Sequence, residues 1–128
     1  MIKDVLNRLK RALGEIATDS NIEQRDSALR AVSNALDETY LYYRDLKKGM
    51  VRNLDRESLL AKYWSAAAIP ISNFDTELAV ICDIKSEYWT KPDNYSDDEI
   101  KSLNIELDSV RQAYRKHIRN RYSVIRKN

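Results

Sequence analysis

A chain of 128 residues with a formal charge of +2, 33% charged and 43% hydrophobic residues has the make-up of a folded chain with a solvated surface, not of a disordered one. Two glycines and two prolines are too few for the turns of a sheet-rich fold, so composition points to an all-α protein. A single cysteine excludes an internal disulfide, and a single histidine beside it excludes a zinc-type ligand cluster.

The length suits one domain, residues 1–128. The N-terminal segment MIKDVLNRLKRALGEIA carries charge throughout, unlike a secretory leader. No run approaches the roughly 18 apolar residues of a membrane span. The expectation is a cytoplasmic protein with no membrane contact, no metal and no cofactor.

Ile2, Val5, Leu6, Leu9, Leu13 and Ile16 recur at helical spacing and predict a first helix from about Ile2 to Ala17. Lys3, Arg8, Lys10 and Arg11 decorate its other faces, diluted by Asp4 and Glu15, which reads as the solvated side of a bundle helix. Thr18–Asp19–Ser20–Asn21 is rich in capping residues and reads as a turn.

The second and longest helix spans about Ile22 to Lys48, with Leu29, Val32, Leu36, Tyr43 and Leu46 as its apolar stripe, continued by Met50. The run Tyr40–Leu41–Tyr42–Tyr43 wraps more than one face. Lys47–Lys48–Gly49 supplies cations at the helix C-terminus and a glycine for the left-handed cap position.

The segment from Asp55 to Pro92 is the most apolar of the chain and reads as two buried helices with a tight break. Asp55 is the expected N-cap of the third helix. Leu60, Trp64, Ala67 and Ile71 share one face, and Leu59, Tyr63 and Ala66 widen that stripe. Pro70, which has no N–H and restricts Ile69, should end or kink the helix, with Ser72 or Asn73 capping the next. In the fourth helix Leu78, Ala79, Val80, Ile81, Cys82 and Ile84 leave almost no polar face, the mark of a buried helix. It ends before Pro92.

Ser96 and Glu99 form a capping box that opens the fifth helix. Its stripe runs through Ile100, Leu103, Leu107, Val110, Tyr114, Ile118, Tyr122 and Ile125. Short connections favour antiparallel neighbours. The sum is a compact bundle of about five helices, with helices 2–5 antiparallel and helix 1 packed at the side or end.

Each central helix carries a Tyr–Trp pair, Tyr63–Trp64 and Tyr88–Trp89. At helical spacing such residues pack into a core and its edge, the indole N–H bonded at the rim. Tyr and Trp also dominate interface hot spots. The leading functional expectation is therefore a non-enzymatic helical interaction module, adaptor or self-associating to a homodimer or higher assembly. Its binding residues are taken as Tyr42, Tyr63, Trp64, Tyr88 and Trp89.

Charge is unevenly spread. Ser72 to Val110 holds ten acids and three bases, a net −7, whereas Arg111 to Asn128 holds seven bases and no acid. A nucleic-acid surface would use Arg115, Lys116, Arg119, Arg121 and Arg126 on phosphates. Ordinary complementation of the helix dipole would also place bases late in the last helix.

His117 follows Arg111 by six residues on that helix, about 120° away around its axis. The Arg-x5-His spacing is similar to the Arg-x4–6-His signature of the HEPN family, small helical bundles of which many are dimeric, metal-independent ribonucleases. The resemblance implies that Arg111 steadies a scissile phosphate while His117 performs acid–base work on a 2′-hydroxyl, a role suited to an imidazole.

Among the acids, Asp97–Asp98–Glu99 belong to the capping box and first turn of the last helix. Asp55 and Glu57 read as an N-cap and its first turn, and Glu38 lies within reach of Tyr42. No Gly-rich phosphate loop occurs, because the glycines are isolated.

Overall fold

The computed structural model describes the backbone of residues 2–127 and the side chains of residues 21–103 and 107–120. Within them the fold is all-α, as composition requires. Four α-helices follow one another: α1 (Ile2–Lys47), α2 (Leu54–Ser72), α3 (Thr76–Thr90) and α4 (Asp97–Lys127), with a 3-10 turn at Pro92–Asn94 before α4.

The expected break at residues 18–21 is absent, and the first two expected helices are one helix of 46 residues. Thr, Asp, Ser and Asn favour caps but do not prohibit helix, and no glycine or proline stands there to interrupt the hydrogen-bond ladder. How the Ile2–Ile16 stripe packs lies outside the described side chains.

Gly49 has φ 92°, the left-handed conformation expected of the residue that closes α1. Asn53, not Asp55, caps α2: its Oδ1 accepts the Arg56 N–H at 3.0 Å. The helix therefore starts two residues earlier than Asp55 implies, and Asp55 sits in the first turn, where its charge complements the dipole. Pro70 does not end α2. It lies in the last turn, and the helix runs on to Ser72. Asp75, not Ser72 or Asn73, caps α3, its Oδ1 accepting from Leu78 N–H at 3.0 Å. The Ser96–Glu99 capping box forms as expected, with reciprocal bonds of 3.1 and 3.2 Å.

Contacts between neighbours run in reverse order along each pair. Tyr42 meets Glu57 while Arg25 lies over Phe74, so α1 and α2 are antiparallel. Ser86 bonds the Ala61 carbonyl while Phe74 and Asp75 close onto Ile71, so α2 and α3 are too. Lys85 meets Leu103 and Asp75 meets His117, which sets α4 against α3. The result is an up-down-up-down arrangement in which α2 packs chiefly on α1 and α3.

One core draws on all four helices: Leu29, Val32, Leu36 and Tyr42 from α1, Leu60, Trp64, Ala67 and Ile71 from α2, Leu78, Cys82 and Trp89 from α3, and Leu103, Leu107 and Val110 from α4. Trp64 is wholly buried at its centre. Its indole N–H donates to Thr39 Oγ1 at 3.0 Å, and the Thr39 hydroxyl donates to the Ala35 carbonyl at 2.7 Å. That chain satisfies the polar atoms which burial would otherwise strand.

Two expectations about the central helices are corrected. Leu59, Tyr63 and Ala66 do not widen the core stripe of α2; they are exposed on its other side. Nor is α3 apolar all round: Val80 is exposed together with Asp83 and Glu87, and only the face carrying Leu78, Ala79, Cys82, Lys85 and Trp89 is buried. A helix here has at most three neighbours, and apolar residues in excess of those contacts remain in solvent. Among the described residues no helix is long and apolar enough to cross a membrane.

Candidate functional site

The aromatic residues proposed for binding fall into two groups. Tyr42, Trp64, Tyr88 and Trp89 are buried, and only Tyr63 lies at the surface. As a surface set they are therefore corrected: four of the five spend their apolar area inside the protein. Helical spacing brings them into the core because each lies on the face turned toward neighbouring helices. Trp89 is the hub, with Tyr42, Tyr43 and Tyr88 rings 5.7, 5.8 and 4.8 Å away, centroid to centroid, and Tyr88 meets Tyr95 edge-on at 5.2 Å.

This aromatic cluster sits at the end of the bundle where α1 turns into α2 and α3 into α4. Beside it is a buried ionic knot that sequence spacing did not reveal. Glu57, 3% exposed, faces inward from the first turns of α2. The Arg52 guanidinium grips it with two of its three nitrogens, Nη2 to Oε1 at 2.8 Å and Nε to Oε2 at 3.0 Å. The Tyr42 hydroxyl donates to Glu57 Oε2 at 2.5 Å and accepts the Asn53 N–H at 3.0 Å. The remaining nitrogen of Arg52 reaches Asp93 at 3.1 Å, in the turn before α4.

The bonds from Arg52, and then that from Tyr42, hold the Glu57 carboxyl below its ordinary range against the effect of burial. Burial, reinforced by the Glu57 charge, pushes the Tyr42 phenol up, so it remains a donor at neutral pH. Next to the knot, Arg56 lies over the Tyr42 ring at 4.9 Å and binds Asp45 at 2.7 Å. A recess of about 210 Å³ is lined by Tyr42, Tyr43, Arg52, Glu57, Tyr88 and Trp89, among others. Its charged groups are all committed to one another, so its geometry is that of a clasp between two loops.

A second buried charge is Lys85, 4% exposed, whose Nζ donates to the Leu103 carbonyl at 2.7 Å and lies 5.7 Å from the Trp64 ring centroid. Burial raises the Cys82 thiol to about 12, so it is inert at neutral pH. Among the described residues no group of three His, Cys, Asp or Glu side chains is placed to hold a metal.

Arg111 and His117 leave α4 in different directions. Arg111 lies 5.1 Å over the ring of Tyr40 on α1, whose hydroxyl donates to Asp108 at 3.1 Å. His117 points the other way, its Nε2 3.0 Å from Asp75 Oδ2 at the start of α3. Within one chain the two do not share a reacting centre. Asp75 thus serves two ends, capping α3 and holding α4. Burial works to raise its pKa, and the bonds from Leu78 N–H and His117 outweigh it and hold the carboxyl below the usual range.

Arg115, Lys116 and Arg119 are exposed on α4, and the side chains of Arg121 and Arg126 lie outside the described residues.

The surface has one apolar concentration, part of which the sequence reading assigned to the core. Of the eight large apolar side chains that are exposed among the described residues, six fall between Met50 and Ile69: Met50, Val51, Leu54, Leu59, Tyr63 and Ile69. Val51 is 86% exposed, Ile69 79% and Leu54 70%. Leu59, Tyr63, Ala66 and Ile69 line the side of α2 turned away from Trp64. Comparison with protein-family models, with curated proteins and with solved structures finds no match for the chain.

Proposed function

We propose that this protein is a non-enzymatic helical interaction module whose contact surface is the outer face of α2 and the loop before it. The observation that carries this reading is the concentration of exposed apolar side chains between Met50 and Ile69, on an element whose other face is already fully used by the core. Solvent-facing apolar residues scattered singly need no explanation, whereas a run of them on one rigid element marks a contact surface. Tyr63, half-way along, has the aromatic body and polar tip typical of interface anchors. The partner is another protein chain, a second copy of this one being the simplest case.

The reading is tested with Leu59→Lys/Ile69→Lys, which leaves the Trp64 side of α2 untouched. Light scattering at low and high salt should give a mass above the 15.0 kDa of one chain for the wild type and one chain for the variant. If association is with a different protein, affinity capture should retain it on the wild type and lose it on the folded variant. A wild type that is a monomer at both salts, and that holds nothing the variant loses, removes the proposal.

A further inference from the structure

We infer that α4 carries a second interaction surface, separate from that of α2, which binds the phosphate backbone of a nucleic acid through Arg111, Arg115 and Arg119. The three recur at i, i+4 and i+8, so they stand in a row along one side of α4. At 1.5 Å per residue the row is about 12 Å long, the length over which one strand of a duplex presents three to four phosphates at 3.4 Å each. All three are exposed, and Lys116 lies beside them.

Three observations separate this row from an ordinary solvated face. First, its cations lack the carboxylate partners that the arginines at the α1–α2 end of the molecule have. Arg44, Arg52 and Arg56 each hold a carboxylate, whereas among the described residues no ion pair involves Arg111, Arg115, Lys116 or Arg119. Second, the nearest acid before the row in α4, Asp108, is engaged by the Tyr40 hydroxyl, and no acid occurs after it. Third, the helix dipole does not account for the row. Its influence is confined to the last turn, and α4 runs to Lys127, two to four turns beyond Arg119 and Arg111. The planar guanidinium of Arg111 is also held in place over Tyr40 at 5.1 Å, so less freedom is lost when it meets a phosphate.

No residue of the row reads bases from such a placement, so binding is to the backbone and strongly dependent on salt. Neutralising three to four phosphates predicts a slope of about −3 in log affinity against log salt, a loss of about 40- to 150-fold between 50 and 200 mM.

The test is fluorescence anisotropy of a labelled mixed-sequence duplex of about 20 base pairs, and of a single strand of the same length, with wild-type protein and with Arg115→Gln/Arg119→Gln. That pair spares the Arg111–Tyr40 contact, and its helix content is checked by circular dichroism. The expected result is binding by the wild type with that slope, and a slope reduced by about 2 in the variant. Absence of binding at 50 mM salt overturns the inference. So does binding that the variant retains unchanged, or retention of the protein only by vesicles containing phosphatidylserine. The Leu59→Lys/Ile69→Lys protein should bind nucleic acid as a monomer, so loss of one surface is distinguishable from loss of the other.

Discussion

Two charged regions of the molecule are handled in opposite ways. At the loop end of the bundle, Arg52, Glu57, Tyr42 and Asp93 form a closed set, and Arg56 and Asp45 another beside it. Along α4, Arg115, Lys116 and Arg119 face solvent with no carboxylate to meet them among the described residues. The difference is one of burial. A carboxylate held at 3% exposure is intolerable without a cation, so the loop end had to solve its electrostatics internally. A cation in water has no such constraint, and its charge stays available for a partner.

That contrast can be broken most sharply at Arg52. Arg52→Ala leaves Glu57 buried without its cation and should cost about 2–3 kcal/mol in urea unfolding, at the low side for a buried pair because Arg52 itself is half exposed. An unchanged midpoint would mean that the knot is ornamental.

Acid should produce the same loss in the wild type. The Glu57 carboxyl titrates below its unfolded value of about 4.3, so its contribution is complete above that pH and disappears as pH falls through the depressed native value. In Arg52→Ala burial outweighs the remaining Tyr42 bond, so that loss on acidification should disappear or reverse, measured as stability from pH about 6 to 3.

A smaller effect is expected from Tyr42→Phe. The ring packing against Trp89 survives, while Glu57 loses a donor and the Asn53 N–H loses its acceptor, for about 1–2 kcal/mol. His117→Ala should cost about 0.5–1 kcal/mol, since Asp75 keeps its cap on α3 and loses only a partly exposed pair. Arg115→Gln/Arg119→Gln should be smallest of all, within about 0.5 kcal/mol, while abolishing most of the salt dependence of nucleic-acid binding. If that variant proved as destabilising as Arg52→Ala, the row on α4 would belong with the structural charges.

Much of the fold was legible because it depends on local rules. Helical class followed from the shortage of turn residues. The stripe Leu60–Trp64–Ala67–Ile71 is buried along its whole length, the Ser96–Glu99 box opens the last helix and Gly49 closes the first, as read. Periodicity and capping act within a few residues, so a window of sequence contains them. Where the reading failed, a local preference was weaker than the context. The cap-rich residues 18–21 stay helical, Asn53 takes the cap from Asp55, and Pro70 is absorbed in the last turn of α2 despite its missing N–H.

The candidate sites show the same division. The packing of Trp64, Tyr88 and Trp89 into the core was legible from their helical spacing, but the burial of Tyr42 and the exposure of Tyr63 were not, because a residue's neighbours come from other helices. Glu57 looked like a first-turn acid. Its partners Tyr42 and Asp93 lie 15 and 36 residues away in sequence, or reach it only through Arg52, and no spacing rule joins them. Likewise Asp75 and His117 are 42 residues apart.

By itself, then, the sequence determined that the chain is helical, that helices end at Gly49 and before Pro92 and begin after Ser96, and that its last helix is basic, since these rest on backbone geometry and short-range chemistry. Only the tertiary structure decided which of two apolar faces of α2 enters the core, which charges are consumed by one another and which remain exposed, because those outcomes depend on what the other helices bring to the same place.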